Sequence, residues 1–234
     1  DRMRDHLVQD VVEVEPGSTD AVADELVSLG AQRISRVRNF VQAELPFDAL
    51  ATAAASPGVR WIRKPIYASP PEPNSPPTTK GLKVDQTTEG LAAMNATAWQ
   101  TAGHTGAGIK IGIIDLEFGG YESLLGSALP PDSRVTYRGF GWVLLDTNEV
   151  HGTACAEIIH DLAPGAELYL AQVDTLTELL DAIDWLTANG VHVISKSMGW
   201  YGVGPGDGTG PIHDAISQNV QNNDTVWSVS AGNH

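Results

Sequence analysis

Four short apolar runs constrain this chain more than any other feature: "IKIGIID" (109–115), "ELYLAQV" (167–173), "VHVISKSM" (191–198) and "TVWSVSAGN" (225–233). Runs that are apolar on both faces and alternate with helical stretches indicate a parallel sheet covered by helices on both sides. The stretch "TLTELLDAIDWLTANG" is one such cover. It sets Leu176, Leu179, Leu180, Ile183 and Leu186 on one helical face and ends at Gly190. In sheets of this kind functional groups collect at the carboxyl ends of strands. Asp115, after "IGII", and Asn233, in the closing "SAGN", stand at such ends, and His151 opens a helix that follows a loop.

The preceding residues follow another pattern. In "DVVEVEP" Val12 and Val14 alternate with Glu13 and Glu15, the period of a half-buried strand. "STDAVADELVSLG" offers Ser18 as a cap, a Val22, Leu26, Leu29 stripe and Gly30 as a stop. "AQRISRVRNFVQAELP" is long enough for two strands or one bent strand, "FDALATAAASPG" reads as a short helix, and "VRWIRKP" closes as a strand. That order predicts a small α+β domain of ferredoxin-like type over residues 1–68. Residues 69–79, "SPPEPNSPPTT", hold five prolines and read as an extended connector. The expected organisation is therefore 1–68, a linker over 69–84, and an α/β region over 85–234.

Charge separates the halves. Residues 1–80 carry 11 acidic against 9 basic residues, whereas residues 81–234 carry 18 against 5. The overall charge of −15 argues against nucleic acid as a partner, since phosphates demand a basic surface. No run reaches the roughly 18 apolar residues of a membrane span, so no membrane partner is expected. The single cysteine excludes an internal disulfide. A dinucleotide site is disfavoured because Gly106 and Gly108 precede their strand, whereas a phosphate-binding loop must follow one.

Taken in order, "IGIID", "HGTACAEII", "VISKSMG" and "VWSVSAGN" resemble the subtilisin-like serine peptidases, the subtilases. The resemblance covers residues from about 85 to 234, and the first segment looks like the propeptide of that family. It implies a subtilase-type parallel sheet and peptide-bond hydrolysis, with Asp115 orienting His151 as general base and Asn233 donating to the oxyanion. Ser197, Met198 and Gly199, with Ala231 and Gly232, would pair with an extended peptide or protein substrate. The family habit implies export and allows calcium as a cofactor, although no ligand loop stands out. No other metal is expected: His151, Cys155 and His160 cannot share one helix face, which removes a zinc reading.

Each motif has a plainer reading. A strand-ending Asp is commonly a turn residue or cap, Asn in "AGN" a turn former, and Cys155 a small buried apolar residue one helical turn after His151. Only their joint occurrence favours a site. Three departures from the family pattern stand out. Leu116 and Glu117 replace the usual Ser or Thr and Gly after the aspartate, and Lys196 occupies a strand position that would take an apolar or neutral residue. The nucleophile motif Gly-Thr-Ser does not occur in the chain. The expectation is a fragment or split chain, inactive alone, whose serine lies on a C-terminal piece. The rival expectation is a subtilase-like shell that binds peptides without cutting them.

Overall fold

A computed structural model describes residues 6–68, 90–141, 149–200 and 202–230. The expected linker, 69–84, lies outside the described residues, as do Ala231, Gly232 and Asn233. The chain divides into two compact units. The first comprises Asp1–Tyr67 together with Thr175–Asp181, and the second Ala68–Asp174 with Ala182–His234.

In the first unit the order is β1 (Leu7–Val14), α1 (Thr19–Ser28), β2 (Gln32–Val37), β3 (Phe40–Pro46), α2 (Leu50–Ala54) and β4 (Val59–Arg63). The strands form an antiparallel sheet in the order β2-β3-β1-β4, the ferredoxin-like arrangement. The alternation in β1 does what its period requires. Val12 and Val14 are fully buried among Val22, Leu26, Val41, Leu45 and Ala53, while Glu13 and Glu15 turn outward to Arg60, at 3.3 and 3.0 Å. The long second run is two strands, because Arg38 adopts a left-handed φ of +52° at the turn between them. Ser18 does not cap α1 through its side chain. Instead the hydroxyl of Thr19 donates to the Arg38 carbonyl at 2.6 Å, tying the helix start to the hairpin.

In the second unit the order is α3 (Gly90–Ala93), α4 (Ala96–Thr101), β5 (Lys110–Asp115), β6 (Val135–Gly139), α5 (His151–Leu162), β7 (Glu167–Gln172), α6 (Leu176–Ala188), β8 (Val193–Lys196), α7 (Pro211–Asn223) and β9 (Val226–Val229). The opening turns of α6 cluster with the first unit. All five strands are parallel, in the order β6-β7-β5-β8-β9. Successive side chains alternate between the faces of the sheet. Ile111 and Ile113 pack with Leu168, Leu170 and Ala156 of α5 on one face. Gly112 faces Leu186 of α6 on the other, so closely that a Cβ there would lie 2.9 Å from the leucine. Helices thus cover both faces, as the apolar runs predict. No apolar run marks β6, VTYRG, an edge strand whose residues are partly or fully exposed.

Candidate active site

Strand β5 sits at the centre of the sheet, and the chain leaves it at Asp115, which is 1 % exposed. A buried carboxylate needs partners for its oxygens. Oδ1 accepts from the backbone N–H of Leu116 at 2.8 Å, and Oδ2 lies 2.8 Å from Nδ1 of His151. Ionised carboxylate oxygens only accept, so Nδ1 carries the proton and Nε2 presents its lone pair away from Asp115.

His151 is the first residue of α5, where the helix dipole disfavours a cation. The Asp115 contact more than offsets this. Its hydrogen bond, reinforced by its charge, raises the imidazole above its ordinary pKa of 6.5, against the lowering effect of burial. Three contacts fix the histidine on the sheet. Gly152 donates its N–H to the Glu117 carbonyl (3.0 Å), the buried Thr153 hydroxyl donates to the Gly119 carbonyl (2.9 Å), and Gly119 donates its N–H to the Glu149 carbonyl (2.8 Å). A Cβ at Gly152 would collide with the Glu117 carbonyl oxygen, Asp115 Cβ and Phe118 Cε1. Sequence reasoning missed the positioning roles of Gly152, Thr153 and Phe118. A signal was available, because glycine is a poor helix former and its place just inside a helix start asks for a close approach.

Cys155 lies one turn along α5. Burial first, and the Asp115 charge second, push its thiol up to about 11, although a hydrogen bond with Ser197 acts the other way. Asp115, His151 and Cys155 bring their ligand atoms within 4.8 Å of one another, the one such triplet among the described residues. A metal there would have to break the Asp115–His151 bond and remove a tightly held thiol proton. With a single carboxylate the triplet does not fit calcium, which takes six to eight oxygens. His160 is not part of it.

Ser197, Met198 and Gly199 follow the end of β8 rather than lying within it. The Met198 side chain is buried, whereas Gly199 is exposed and a Cβ built on it would meet nothing within 4 Å. Asp115, His151, Cys155 and Ser197 are thus gathered at one end of the sheet, and the segment 197–199 runs on from there. Lys196 donates to the Met198 carbonyl at 2.7 Å, and Glu117 accepts from Gln172 at 3.4 Å. No helix among the described residues is long and apolar enough to cross a membrane.

Residues 106–234, more than half of the chain, match the subtilase family. No curated protein matches the sequence. Among solved structures, fervidolysin from Fervidobacterium pennivorans, a keratinolytic enzyme related to subtilisin, superposes with a TM-score of 0.55 at 15% identity. That match covers 100% of this chain and 41% of fervidolysin. The epidermin leader peptide processing serine protease of Staphylococcus aureus superposes with a TM-score of 0.56 at 15% identity, covering 97% of this chain and 60% of that one. At these identities the likeness is one of fold, and the chain spans less than two thirds of either structure.

Proposed function

Given that the chain belongs to the subtilase family, we propose that Asp115 and His151 are the carboxylate and base of a serine endopeptidase relay. The observation that carries this reading is the 2.8 Å contact between a buried carboxylate and the Nδ1 of a histidine at a helix start. Asp115 holds the imidazole in the tautomer that leaves Nε2 free and stabilises the imidazolium once it forms. Nε2 takes the proton from a serine hydroxyl and returns it to the leaving amine.

The nucleophile, absent as Gly-Thr-Ser from these residues, comes from polypeptide outside them, and the 234 residues alone are inactive. Asn233 donates to the oxyanion. Ser197, Met198 and Gly199 on one side, with Ala231 and Gly232 on the other, bind an extended peptide backbone, and open Gly199 leaves room for it. Residues 1–68 act as a propeptide-like domain, 69–84 as its linker, and the protein works outside the cytoplasm.

The test is labelling by a fluorophosphonate probe together with hydrolysis of a fluorogenic peptide. The 234-residue chain is expected to show neither. The product of the reading frame extended past residue 234, or this chain mixed with the C-terminal piece, is expected to show both. Labelling of the 234-residue chain itself overturns the reading.

A further inference from the structure

Lys196 is out of place on the sheet. It ends β8, in register with Ile114 of β5, and is 6 % exposed. An ammonium taken out of water without a counter-charge is costly. Its contacts among the described residues are the Met198 carbonyl at 2.7 Å and the ring of Trp200, whose centroid lies 5.4 Å away. No carboxylate is among them. Among the described residues, a single hydrogen-bond acceptor thus meets its three N–H donors.

The neighbouring Trp200 has the same deficit: its indole N–H is buried with no acceptor among the described residues. Two buried donor groups, one of them an ammonium with no carboxylate partner and the other an indole N–H with no acceptor among the described residues, describe half of a binding site. Such groups are strongly penalised when left unpaired. The missing half must accept several hydrogen bonds and carry negative charge, and a carboxylate does both. The donors flank Met198 and Gly199, the segment assigned above to the substrate backbone.

We propose that Lys196 and Trp200 form a carboxylate subsite, which makes the cleft selective for peptides carrying an acidic group. This rests on the peptide-cleft reading of residues 197–199. Burial lowers the ammonium from its ordinary pKa, and a bound carboxylate would act against that lowering. The Trp200 ring lies 5.4 Å from the ammonium, within cation–π range, and its N–H would add direction to the contact.

The test uses the 234-residue chain and fluorescently labelled hexa-alanine peptides, acetylated and amidated, with each position changed in turn to Asp, Glu, Asn or Gln. A further peptide carries a free terminal carboxylate. Anisotropy is read at about 0.15 M salt, where a screening length of about 8 Å mutes the acidic surface. The expected result is binding roughly tenfold or more tighter for Asp or Glu than for the matching amide at one position. Lys196→Met should abolish that preference. Trp200→Phe, which keeps the ring and removes the donor, should reduce it in part. Preference for the free terminal carboxylate alone would identify a chain end as the ligand of the same subsite. Equal binding of acidic and amide peptides by the native chain overturns the subsite and leaves the cleft standing. Failure of every peptide to bind overturns both.

Discussion

Asp10 and Asp115 are each buried in a sheet, one in each unit, at 5 % and 1 % exposure. Asp115 has a proton donor on each oxygen, one of them a histidine that gains from its charge. Asp10 sits on β1 opposite Ala43, with Oδ2 unpartnered among the described residues. Burial pushes its carboxyl up to about 6, and the charge of Lys64 only partly opposes this. A carboxylate removed from water is thus an unmet cost in one unit and a tool in the other. Burial alone does not mark a site. A second group whose protonation depends on the carboxylate does.

The largest effect expected from breaking this contrast is at Asp115. Asp115→Asn keeps the shape but presents an amide to Nδ1, which permits the wrong tautomer. Where the proposed relay operates, kcat should fall by about 10⁴, the size of the loss for the corresponding change in another serine peptidase. Because the carboxylate is what raises His151, the ascending limb of the pH–rate profile should also move to lower pH. The stability that His151 contributes has the sign of a raised group: complete below about 6.5 and lost as pH rises through its folded pKa. An imidazole titration by NMR unchanged between the native chain and Asp115→Asn would break the comparison.

Asp10→Asn should do the opposite, leaving the rate alone and changing stability. The folded pKa of Asp10 is raised from 3.8 to about 6. Its stabilising protonation is therefore fully present below 3.8 and lost as pH rises through about 6. A shift of about two units corresponds to roughly 3 kcal/mol at neutral pH. Urea unfolding of the first unit should show the native chain losing stability between pH 4 and pH 7. The Asn variant should lack that slope and be the more stable at pH 7, by up to this amount.

The next effect concerns the geometry around Asp115 rather than its charge. Gly152→Ala adds a methyl group where the Glu117 carbonyl, Asp115 and Phe118 leave no space. Moving α5 outward would lengthen the Asp115–His151 contact. The expected cost is about 2 kcal/mol of unfolding free energy, with the His151 pKa falling toward its ordinary value. An alanine variant with both quantities unchanged would show that the close approach is not what sets the histidine.

How much of this was legible in the sequence depends on where each signal resides. The parallel sheet was readable because β5, β7, β8 and β9 are apolar runs, and the ferredoxin-like unit because β1 alternates. The edge strand β6 was not, since VTYRG holds no apolar run, whereas the equally exposed edge strand β9 keeps one in VWSV. The joining of Asp115 to His151, 36 residues apart, could be expected only from motif order, because no local period links them. Lys196 was conspicuous as a charge on an apolar strand. Its acceptor was not foreseeable, because the strand ends at that residue and the side chain folds forward onto the Met198 carbonyl. Ser18 shows the limit of capping rules: a suitable side chain precedes α1, yet the neighbouring Thr19 makes the anchoring bond.

The smallest effect sharpens the same contrast between buried and exposed carboxylates. Arg36 of β2 contacts Asp24 of α1 at 3.0 Å and Asp20 at 3.7 Å, distances not far from that of the Asp115–His151 contact. Asp24, however, is 78% exposed and water competes for it. Exposed pairs contribute about 0.2–1 kcal/mol, reduced further by salt. A double-mutant cycle of Arg36→Met and Asp24→Asn should therefore give a coupling below about 1 kcal/mol that vanishes at about 1 M salt. The His151 pKa shift, set by a hydrogen bond to a buried partner, should survive the same salt. If both couplings fell together, the distinction drawn between burial with a partner and contact in water would not hold for this chain.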